Sequence, residues 1–214
     1  PTRRSSDLLA NAHSPIYIEA NNAGSSTLQL DGSAGGITLP RASLSARSGT
    51  TPGIQNLGGT NNIGGLTMMQ GGANHIVQSD SGLLNFTAGI EGGVTGNRTI
   101  TFQGNGDIAA LSTLSELTAD VLNVLKLGTG TLTLAGACSH DGTTTLNGGT
   151  LRLTGSLATT GAMTTAAGTT FSGTGTSNAA TTINGIHAPG NTIGTQTFTG
   201  PLTYNASARL RWSR

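Results

Sequence analysis

Three residues with the chemistry of a thiol nucleophile lie close together in the chain. Cys138, His140 and Asp141 offer a thiol, an imidazole and a carboxylate within one short connection, and a thiol beside an imidazole is a pairing that covalent catalysis uses. No oxyanion-hole motif lies nearby, and the surrounding stretch is rich in glycine. We therefore interpret the three residues as part of a surface turn rather than an active site.

Carboxylates that cleave a glycosidic bond must converge on one groove, about 5–10 Å apart. Beyond the first eight residues, which include Asp7, the acids are instead spread along the chain with no D-x-D or D-D pair: Glu19, Asp31, Asp80, Glu91, Asp107, Glu116, Asp120 and Asp141. We interpret them as turn and surface acids. The other histidines, His13, His75 and His187, lack partners at metal-ligand spacing. Phosphate-binding and serine-hydrolase motifs are also missing, so we assign no catalytic, cofactor-binding or metal-binding residue.

Threonines at every second position suggest another use, because a flat double row of hydroxyls binds ice when it repeats. Thr129, Thr131 and Thr133 lie in one strand-like run, whereas Thr143 and Thr145 lie in another setting. The two groups do not form rows in register. We therefore rank ice binding below the structural and enzymatic functions.

The elements that must position these residues are organised around residues 126–157. Two runs, Thr131–Leu134 and Thr150–Leu153, start 19 residues apart, and a looser copy follows at residues 169–173. Leu and Thr alternate within the runs, which places the leucines on one face of a strand. A fixed period near 20 residues indicates a repeat protein in which each unit buries its apolar edge on the next.

Equal spacing favours a chain that stacks each strand parallel to its copy. Asn147-Gly148 is also compatible with a two-residue hairpin, but the repeat argues against it. A coil of about 20 residues at about 3.3 Å each can wrap three short sheets around an aliphatic interior. The predicted fold is all-β, a right-handed parallel β-helix. Its structural residues are Gly128, Gly130, Leu132, Leu134, Gly136, Gly142, Leu146, Asn147, Gly148, Gly149, Leu151, Leu153, Pro189 and Gly190.

The central stretch also resembles a known family. Residues 128–136, GTGTLTLAG, and residues 142–151, GTTTLNGGTL, are similar to the passenger-associated transport repeat, also called the autotransporter-associated β-strand repeat. Residues 187–195, HAPGNTIGT, resemble the A-P-G-N-S-I-G-T segment that often follows it, with Thr192 in place of Ser. The resemblance covers about residues 124–204. It departs from the family at residues 137–141, where an Asn and an aromatic residue are usual.

The resemblance implies a secreted, surface-displayed segment of a bacterial autotransporter passenger. In that family a C-terminal β-barrel translocator follows in the same full-length chain and associates it with the outer membrane. The implied partners are this translocator, absent from the sequence given, and a glycan or protein ligand on a host or other surface. The resemblance names no particular ligand and implies no cofactor.

Composition sets the remaining bounds on function. The 214 residues include 34 Gly, 9% charged residues and a single cysteine, with a net charge of +1. This balance disfavours nucleic acid as a partner, and one cysteine excludes an intrachain disulfide framework. No apolar run reaches the ~18 residues that span a bilayer.

We divide the chain into three parts. Residues 1–8, PTRRSSDL, match one reading frame of a widely used short-read sequencing adapter, so we interpret them as an artefact and exclude them. Residues 9–123 are predicted to form irregular β-helix coils with longer loops. Residues 124–214 form the autotransporter-repeat β-helix, which we interpret as truncated at its C-terminus because the last residues continue a strand pattern without a polar cap.

Several elements outside the repeat are predicted individually. Strands are expected at residues 16–19, 26–30, 36–39, 66–69, 83–86 and 98–102, with a protruding loop at 49–65. Residues 108–125 carry a helical stripe, and we expect a short helix or loop there before a strand from about 121. Residues 159–180 form a thin coil in register. An apolar face is predicted at Ile183, Ile186, Ile193 and Phe198, and a type II turn at Pro189-Gly190.

The sequence thus predicts a non-catalytic β-helical stalk for surface display and adhesion, whose repeat assists export across the outer membrane. One alternative is a polysaccharide-processing β-helix enzyme, which requires several acids or arginines gathered in a cleft. Another is a fibrous phage or appendage protein, which would be a trimer.

Overall fold

The computed structural model describes residues 16–18, 26–45, 50–69, 74–93, 95–116, 121–158, 161–190 and 194–212. Within them the chain forms 26 strands and no helix. The first thirteen are β1 Ile16–Ile18, β2 Leu28–Gly32, β3 Thr38–Leu39, β4 Ala42–Leu44, β5 Ile54–Ile63, β6 Leu66–Met68, β7 Asn74–Ser79, β8 Leu83–Phe86, β9 Ile90–Gly92, β10 Arg98–Gln103, β11 Asp107–Ala110, β12 Leu114–Ser115 and β13 Leu122–Lys126.

The other thirteen strands are shorter on average. They are β14 Thr131–Leu134, β15 Ala137–Cys138, β16 Thr144–Leu146, β17 Thr150–Leu153, β18 Ser156–Leu157, β19 Met163–Thr165, β20 Thr170–Gly173, β21 Thr176–Ser177, β22 Thr181–Ile183, β23 Ile186–Pro189, β24 Thr197–Phe198, β25 Leu202–Tyr204 and β26 Arg209–Leu210.

The strands stack into three parallel sheets, so the predicted all-β solenoid is confirmed. Sheet A contains β1, β4, β6, β9, β12, β15, β18, β21 and β24. Sheet B contains β2, β7, β10, β13, β16, β19, β22, β25 and the first half of β5, whose second half lies in sheet C with β3, β8, β11, β14, β17, β20, β23 and β26. Each coil of the chain therefore contributes one strand to each sheet.

The core is a set of inward-facing columns that run along the solenoid. In sheet C, Leu132 aligns with Leu151, which in turn aligns with Phe171, and all three are buried. Backbone hydrogen bonds join the same coils, such as Ala135 N–H to Ala110 C=O and Thr154 N–H to Leu134 C=O, both 2.9 Å. Because strand side chains alternate in direction, the intervening threonines face outward.

The coil length differs between the two halves of the chain. Residues that pair across adjacent coils in sheet B are 23 to 27 positions apart in the first half and 18 to 21 positions apart in the second. The third copy of the repeat is also shifted by one position, because Thr170 rather than Thr169 aligns with Thr150. The thin coil predicted at residues 159–180 contains β19, β20 and β21 where the structure describes it.

The loop predicted at residues 49–65 is wrong for most of its length. Residues 54–63 form β5, the longest strand, and Ile54 and Ile63 are fully buried. Asn56 and Asn61 are buried as well. Their side chains have hydrogen-bond partners in the interior: Asn61 Nδ2 donates to Asn56 Oδ1, and Asn56 Nδ2 donates to Ser79 Oγ. Residue 49 lies outside the described residues.

The short helix considered within residues 108–125 is absent from the described residues of that segment. Ile108 belongs to β11 and Leu114 to β12, and both are buried, whereas Leu111 is exposed. The strand predicted from about residue 121 is β13. Residues 117–120 lie outside the described part of the chain.

The predicted apolar face at the C-terminal end is partly wrong. Ile183 is buried, but Ile186 faces outward and His187 takes the inward position beside it. The imidazole ring of His187 stacks on Phe171, with ring centroids 5.7 Å apart. Ile193 lies outside the described residues.

Candidate functional site

Apart from Pro189 and Gly190, which lie at the end of β23, the structural residues predicted from the sequence lie on two adjacent coils, β13–β15 and β16–β18. Leu132, Leu134, Leu146, Leu151 and Leu153 face the core and are buried. Gly128 and Gly149 adopt positive φ values of 73° and 64° at the corner between sheets B and C. Asn147 is exposed at the end of β16, and because β14 and β17 pair in parallel, the Asn147-Gly148 hairpin does not form.

Glycines of successive coils lie directly against one another at the corners. A Cβ added to Gly155 would overlap the carbonyl oxygen of Gly136, and one added to Gly175 would overlap that of Gly155. Gly161 is placed against Gly142 in the same way. These positions require glycine because two backbones meet there, which explains their spacing in the sequence.

The surface-turn interpretation of residues 138–141 is only partly right. Asp141 is exposed, but Cys138 and His140 are fully buried. Cys138 continues the core column of sheet A between Leu114 and Leu157.

Burial also sets the chemistry of these two side chains. It raises the pKa of the Cys138 thiol to about 12, and it lowers the pKa of His140 to about 4 against a smaller opposing effect of Asp141. His140 Nε2 is hydrogen-bonded to Thr144 Oγ1 at 2.9 Å. A neutral thiol and a neutral imidazole are the opposite of the ionised pair that an activated cysteine uses.

The acidic residues take structural roles in the described residues. Asp107 Oδ1 accepts a backbone N–H from the next coil at 2.8 Å, Glu91 is paired with Arg41, and Glu116 accepts the backbone N–H of Asp141. Asp31 accepts two hydrogen bonds from Ser33, which lower the pKa of its carboxyl group. Glu19, Asp120 and His13 lie outside the described residues.

Threonine hydroxyls do align along sheet B, which the sequence reading missed. The two groups of threonines compared in the sequence do not form one row, as predicted, because Thr131 lies in sheet C and Thr145 in sheet B. Within sheet B, however, four outward residues align in one row: Thr145, Thr164, Thr182 and Thr203. Alanines such as Ala162 and Ala166 flank this row, so no double row of hydroxyls forms.

Two further polar features were not recognised from the sequence. Outward glutamines align in the first coils of sheet B, where Gln29 Nε2 donates to Gln55 and Gln103 Nε2 donates to Gln78.

Lys126 faces inward and is 2% exposed. Its Nζ donates to three backbone carbonyls, those of Leu127 (2.6 Å), Gly128 (3.1 Å) and Gly148 (3.4 Å). Burial lowers the pKa of Lys126 to about 8, although Asp107 opposes the shift.

An open cavity of about 230 Å³ lies at the C-terminal end of the solenoid. Among the described residues its wall combines aromatic and aliphatic side chains, such as Phe198, Leu202, Leu210 and Trp212, with four polar ones: His187, Thr195, Gln196 and Tyr204. The rings of His187 and Tyr204 are 5.8 Å apart, and those of His187 and Phe198 are 5.4 Å apart. Gly190 follows β23 with a positive φ of 89° and forms an isolated bridge with Gly173. The predicted type II turn at Pro189-Gly190 stays a prediction, because residue 191 lies outside the described residues.

Candidate metal-binding clusters and membrane-spanning helices are both absent from the described residues. They contain no group of three or more His, Cys, Asp or Glu side chains placed to hold a metal ion. A helix with the length and apolar character needed to cross a membrane is likewise not found in the described part of the chain.

Comparison with known proteins gives one match. No curated protein and no solved structure was found to be similar to this chain. Residues 124–153, which span β13 to β17, match the family model described as the passenger-associated-transport-repeat. This segment therefore contains a repeat of that family, and the repeat and the β-solenoid together fit the stalk of an autotransporter passenger.

Proposed function

We propose that this chain is a non-catalytic stalk of an autotransporter passenger that is secreted to the bacterial surface, remains associated with the outer membrane through a C-terminal translocator, and displays an adhesive end. The observation that carries the proposal is the match of residues 124–153 to the passenger-associated-transport-repeat. It coincides with coils whose inward leucines are fully packed.

The stalk role follows from how the coils are joined. Each coil contacts mainly its two neighbours, and stability in such proteins is roughly a sum over units and interfaces. Aligned side chains such as Leu132 and Leu151 and the backbone ladder between β14 and β17 repeat along the axis. A continuous ladder of this kind resists extension.

The repeat also suits an export role. A chain that crosses the outer membrane unfolded can add one coil at a time outside the cell, because a new coil needs only the previous one as its template. Each coil formed outside makes backward movement costly. We infer that β13 to β18 supply this stabilisation, because their glycine corners and leucine columns are the most regular of the chain.

Features of the surface support two further parts of the proposal, the adhesive role and the lack of catalysis. In the described part of the chain, no Asp or Glu lines the cavity beside β1 and β2, the cavity beside Gly168 and Arg209, or the cavity at the C-terminal end. This favours a structural segment over a polysaccharide-processing enzyme. Tyr17 of β1 is 65% exposed and lies at the other end of its sheet from the C-terminal strands. An exposed aromatic ring with a polar edge suits an interaction surface.

The export role is tested by placing the chain between an export signal and a translocator and measuring how much reaches the cell surface. Leu132→Asp puts a charge into the core, so we expect surface display, measured by protease accessibility, to fall several-fold. Thr133→Asp changes the adjacent outward position and serves as the matched control. Equal display of the two variants would show that folding of the repeat does not assist export.

A further inference from the structure

Asparagine followed by glycine occurs three times in the chain, at residues 105–106, 147–148 and 184–185. In such a pair the backbone nitrogen of the glycine can attack the side-chain amide of the asparagine, because glycine has no Cβ to hinder the approach. The reaction needs an asparagine side chain that can turn, a glycine N–H without a hydrogen bond, and access of water. Since the three pairs share the same local chemistry, the surrounding structure determines which of them reacts.

The pair at residues 105–106 is held by the neighbouring coils. The side-chain oxygen of Asn105 accepts a hydrogen bond from the Thr129 hydroxyl at 2.9 Å. The N–H of Gly106 donates to the carbonyl oxygen of Ser79 at 2.8 Å, and Gly106 is buried. Attack here requires both hydrogen bonds to break in a place with little access of water.

The pair at residues 184–185 is held by still more contacts. Asn184 Nδ2 donates to the Thr165 carbonyl oxygen at 2.7 Å, and Asn184 Oδ1 accepts from Asn205 Nδ2 at 2.6 Å. The N–H of Gly185 donates to Thr165 Oγ1 at 3.3 Å, and Gly185 is buried. The side chain and the attacking nitrogen are therefore both restrained.

The pair at residues 147–148 has neither restraint. Asn147 is exposed, and its side chain makes no hydrogen bond to the described residues. The N–H of Gly148 likewise has no hydrogen-bond partner among them, and Gly148 is only half-buried. The Asn147 side chain can therefore turn onto the Gly148 nitrogen without breaking a hydrogen bond to the described part of the chain.

From this contrast we propose that Asn147 is a site of spontaneous deamidation and that the fold protects the other two asparagine-glycine pairs. Hydroxide removes the proton of the Gly148 N–H, and the nitrogen attacks Cγ of Asn147. A new N–C bond closes a cyclic imide, while the side-chain nitrogen takes up a proton from water and leaves as ammonia. Water then opens the imide at either carbonyl group, which gives aspartate or isoaspartate.

The reaction changes a coil of the matched repeat. Residue 147 lies within residues 124–153, between β16 and β17. Both products add a negative charge, and isoaspartate also adds a methylene group to the main chain. Because β16 pairs with β13 and β17 pairs with β14, the added length strains the register of one pair or the other. This modification is independent of the proposed function.

Trypsin separates the three pairs, because cleavage after Lys126 and Arg152 places them in peptides 99–126, 127–152 and 153–209. The purified chain is kept at pH 8, and samples taken over time are digested. Mass spectrometry of each peptide then measures the exchange of an amide for an acid, and fragment spectra identify the asparagine that has reacted.

In the folded chain we expect Asn147 to deamidate at least about 30-fold faster than Asn105 or Asn184. Each hydrogen bond that must break before attack slows the reaction about 5- to 10-fold, and the protected pairs must break at least two. In denaturing guanidinium chloride the three rates should agree within about 3-fold, because the native contacts are lost there.

Two variants test the assigned contacts. Asn147→Gln changes an exposed residue and lengthens its side chain, so ring closure slows and the mass gain of peptide 127–152 should disappear over the same period. Thr165→Val removes the hydroxyl that accepts the Gly185 N–H and keeps the side-chain shape. It should raise deamidation at Asn184 about 5-fold and leave the rate at Asn147 unchanged.

The proposal is overturned by equal rates at the three pairs in the folded chain. It is also overturned if the ratio of rates is the same in denaturant, which would assign the difference to sequence rather than to fold. A mass gain of peptide 127–152 that is as fast in Asn147→Gln as in wild type would exclude attack by the Gly148 nitrogen. This last comparison needs no substitution in the core.

Discussion

Gly155 lies against Gly136 of the preceding coil, so close that a Cβ on Gly155 would overlap the Gly136 carbonyl oxygen. This approach allows the strands on either side to form their inter-coil hydrogen bonds, such as Ser156 N–H to Gly136 C=O at 3.1 Å. Gly175 continues the same column one coil further on. One corner of the solenoid is therefore built from stacked backbone without side chains.

Gly155→Ala should lower the free energy of unfolding by about 2 kcal/mol, because the added methyl group forces two coils apart. Urea denaturation followed by circular dichroism measures the change. Gly58→Ala is the matched control, because a Cβ there meets side-chain atoms alone, the nearest being Ser81 Oγ at 3.3 Å, with Asp31 Oδ1 at 3.8 Å. Equal destabilisation by both substitutions would show that the glycine column does not limit the coil spacing.

The stability of the protein should fall as the pH drops from 6.5 towards 4. Burial lowers the pKa of His140 from 6.5 to about 4, so in this range the unfolded chain binds a proton that the folded chain does not. The stabilisation is fully present above pH 6.5 and amounts to about 3 kcal/mol. Urea midpoints at pH 7.5 and 4.5 measure the loss.

His140→Gln removes the titrating ring and should reduce this pH dependence. A smaller slope remains, because burial also lowers the pKa of His187. If wild type and His140→Gln lose stability equally between pH 7.5 and 4.5, His140 is not buried in its neutral form.

Cys138 should be almost inert towards thiol reagents in the folded protein. Its pKa is raised from 9.0 to about 12, which lowers the thiolate fraction near neutral pH by about 1000-fold, and its side chain is fully buried. Reaction with an aromatic disulfide reagent at pH 8 should be at least about 100-fold slower without urea than in denaturing urea. Comparable rates would place the thiol at the surface.

Lys126, the single lysine of the chain, should make the folded state more stable in mildly alkaline solution. Burial lowers its pKa from 10.5 to about 8, so between these values the unfolded chain retains a proton that the folded chain has released. Stability therefore rises from pH 8 to 10.5. Lys126→Met should flatten the rise, and a rise of the same size in this variant would exclude Lys126 as its cause.

The sequence predicted the repeat coils well because the local pattern and the global packing agree there. Leu132 and Leu151 alternate with threonines, and the glycines beside them mark the corners. The same alternation predicted several strands of the first half, including β8 and β10. The longer coils of that half hid the remaining strands, since no fixed period links one to the next.

Elements stabilised by polar side chains from other coils were not predicted. Asn56 and Asn61 indicate a turn in the sequence, since asparagine is common in turns. The side chain that pairs with Asn56 in the interior, Ser79, lies 23 residues away. The sequence predicts Ile186 on the apolar face, whereas the structure places His187 inward beside it, with its ring stacked on Phe171. Such contacts depend on which coil lies next to which, and a local sequence pattern does not encode that register.

The most direct test of the account is a disulfide cross-link between facing positions of two coils. In a Cys138→Ala background, Thr133→Cys and Arg152→Cys place thiols on outward residues that align across β14 and β17, with Cα atoms about 4.8 Å apart as parallel neighbours require. The matched pair, Thr143→Cys and Arg152→Cys, would face each other only if Asn147-Gly148 formed an antiparallel hairpin. The account predicts rapid cross-linking of the first pair and none of the second, and the reverse result would contradict the parallel solenoid.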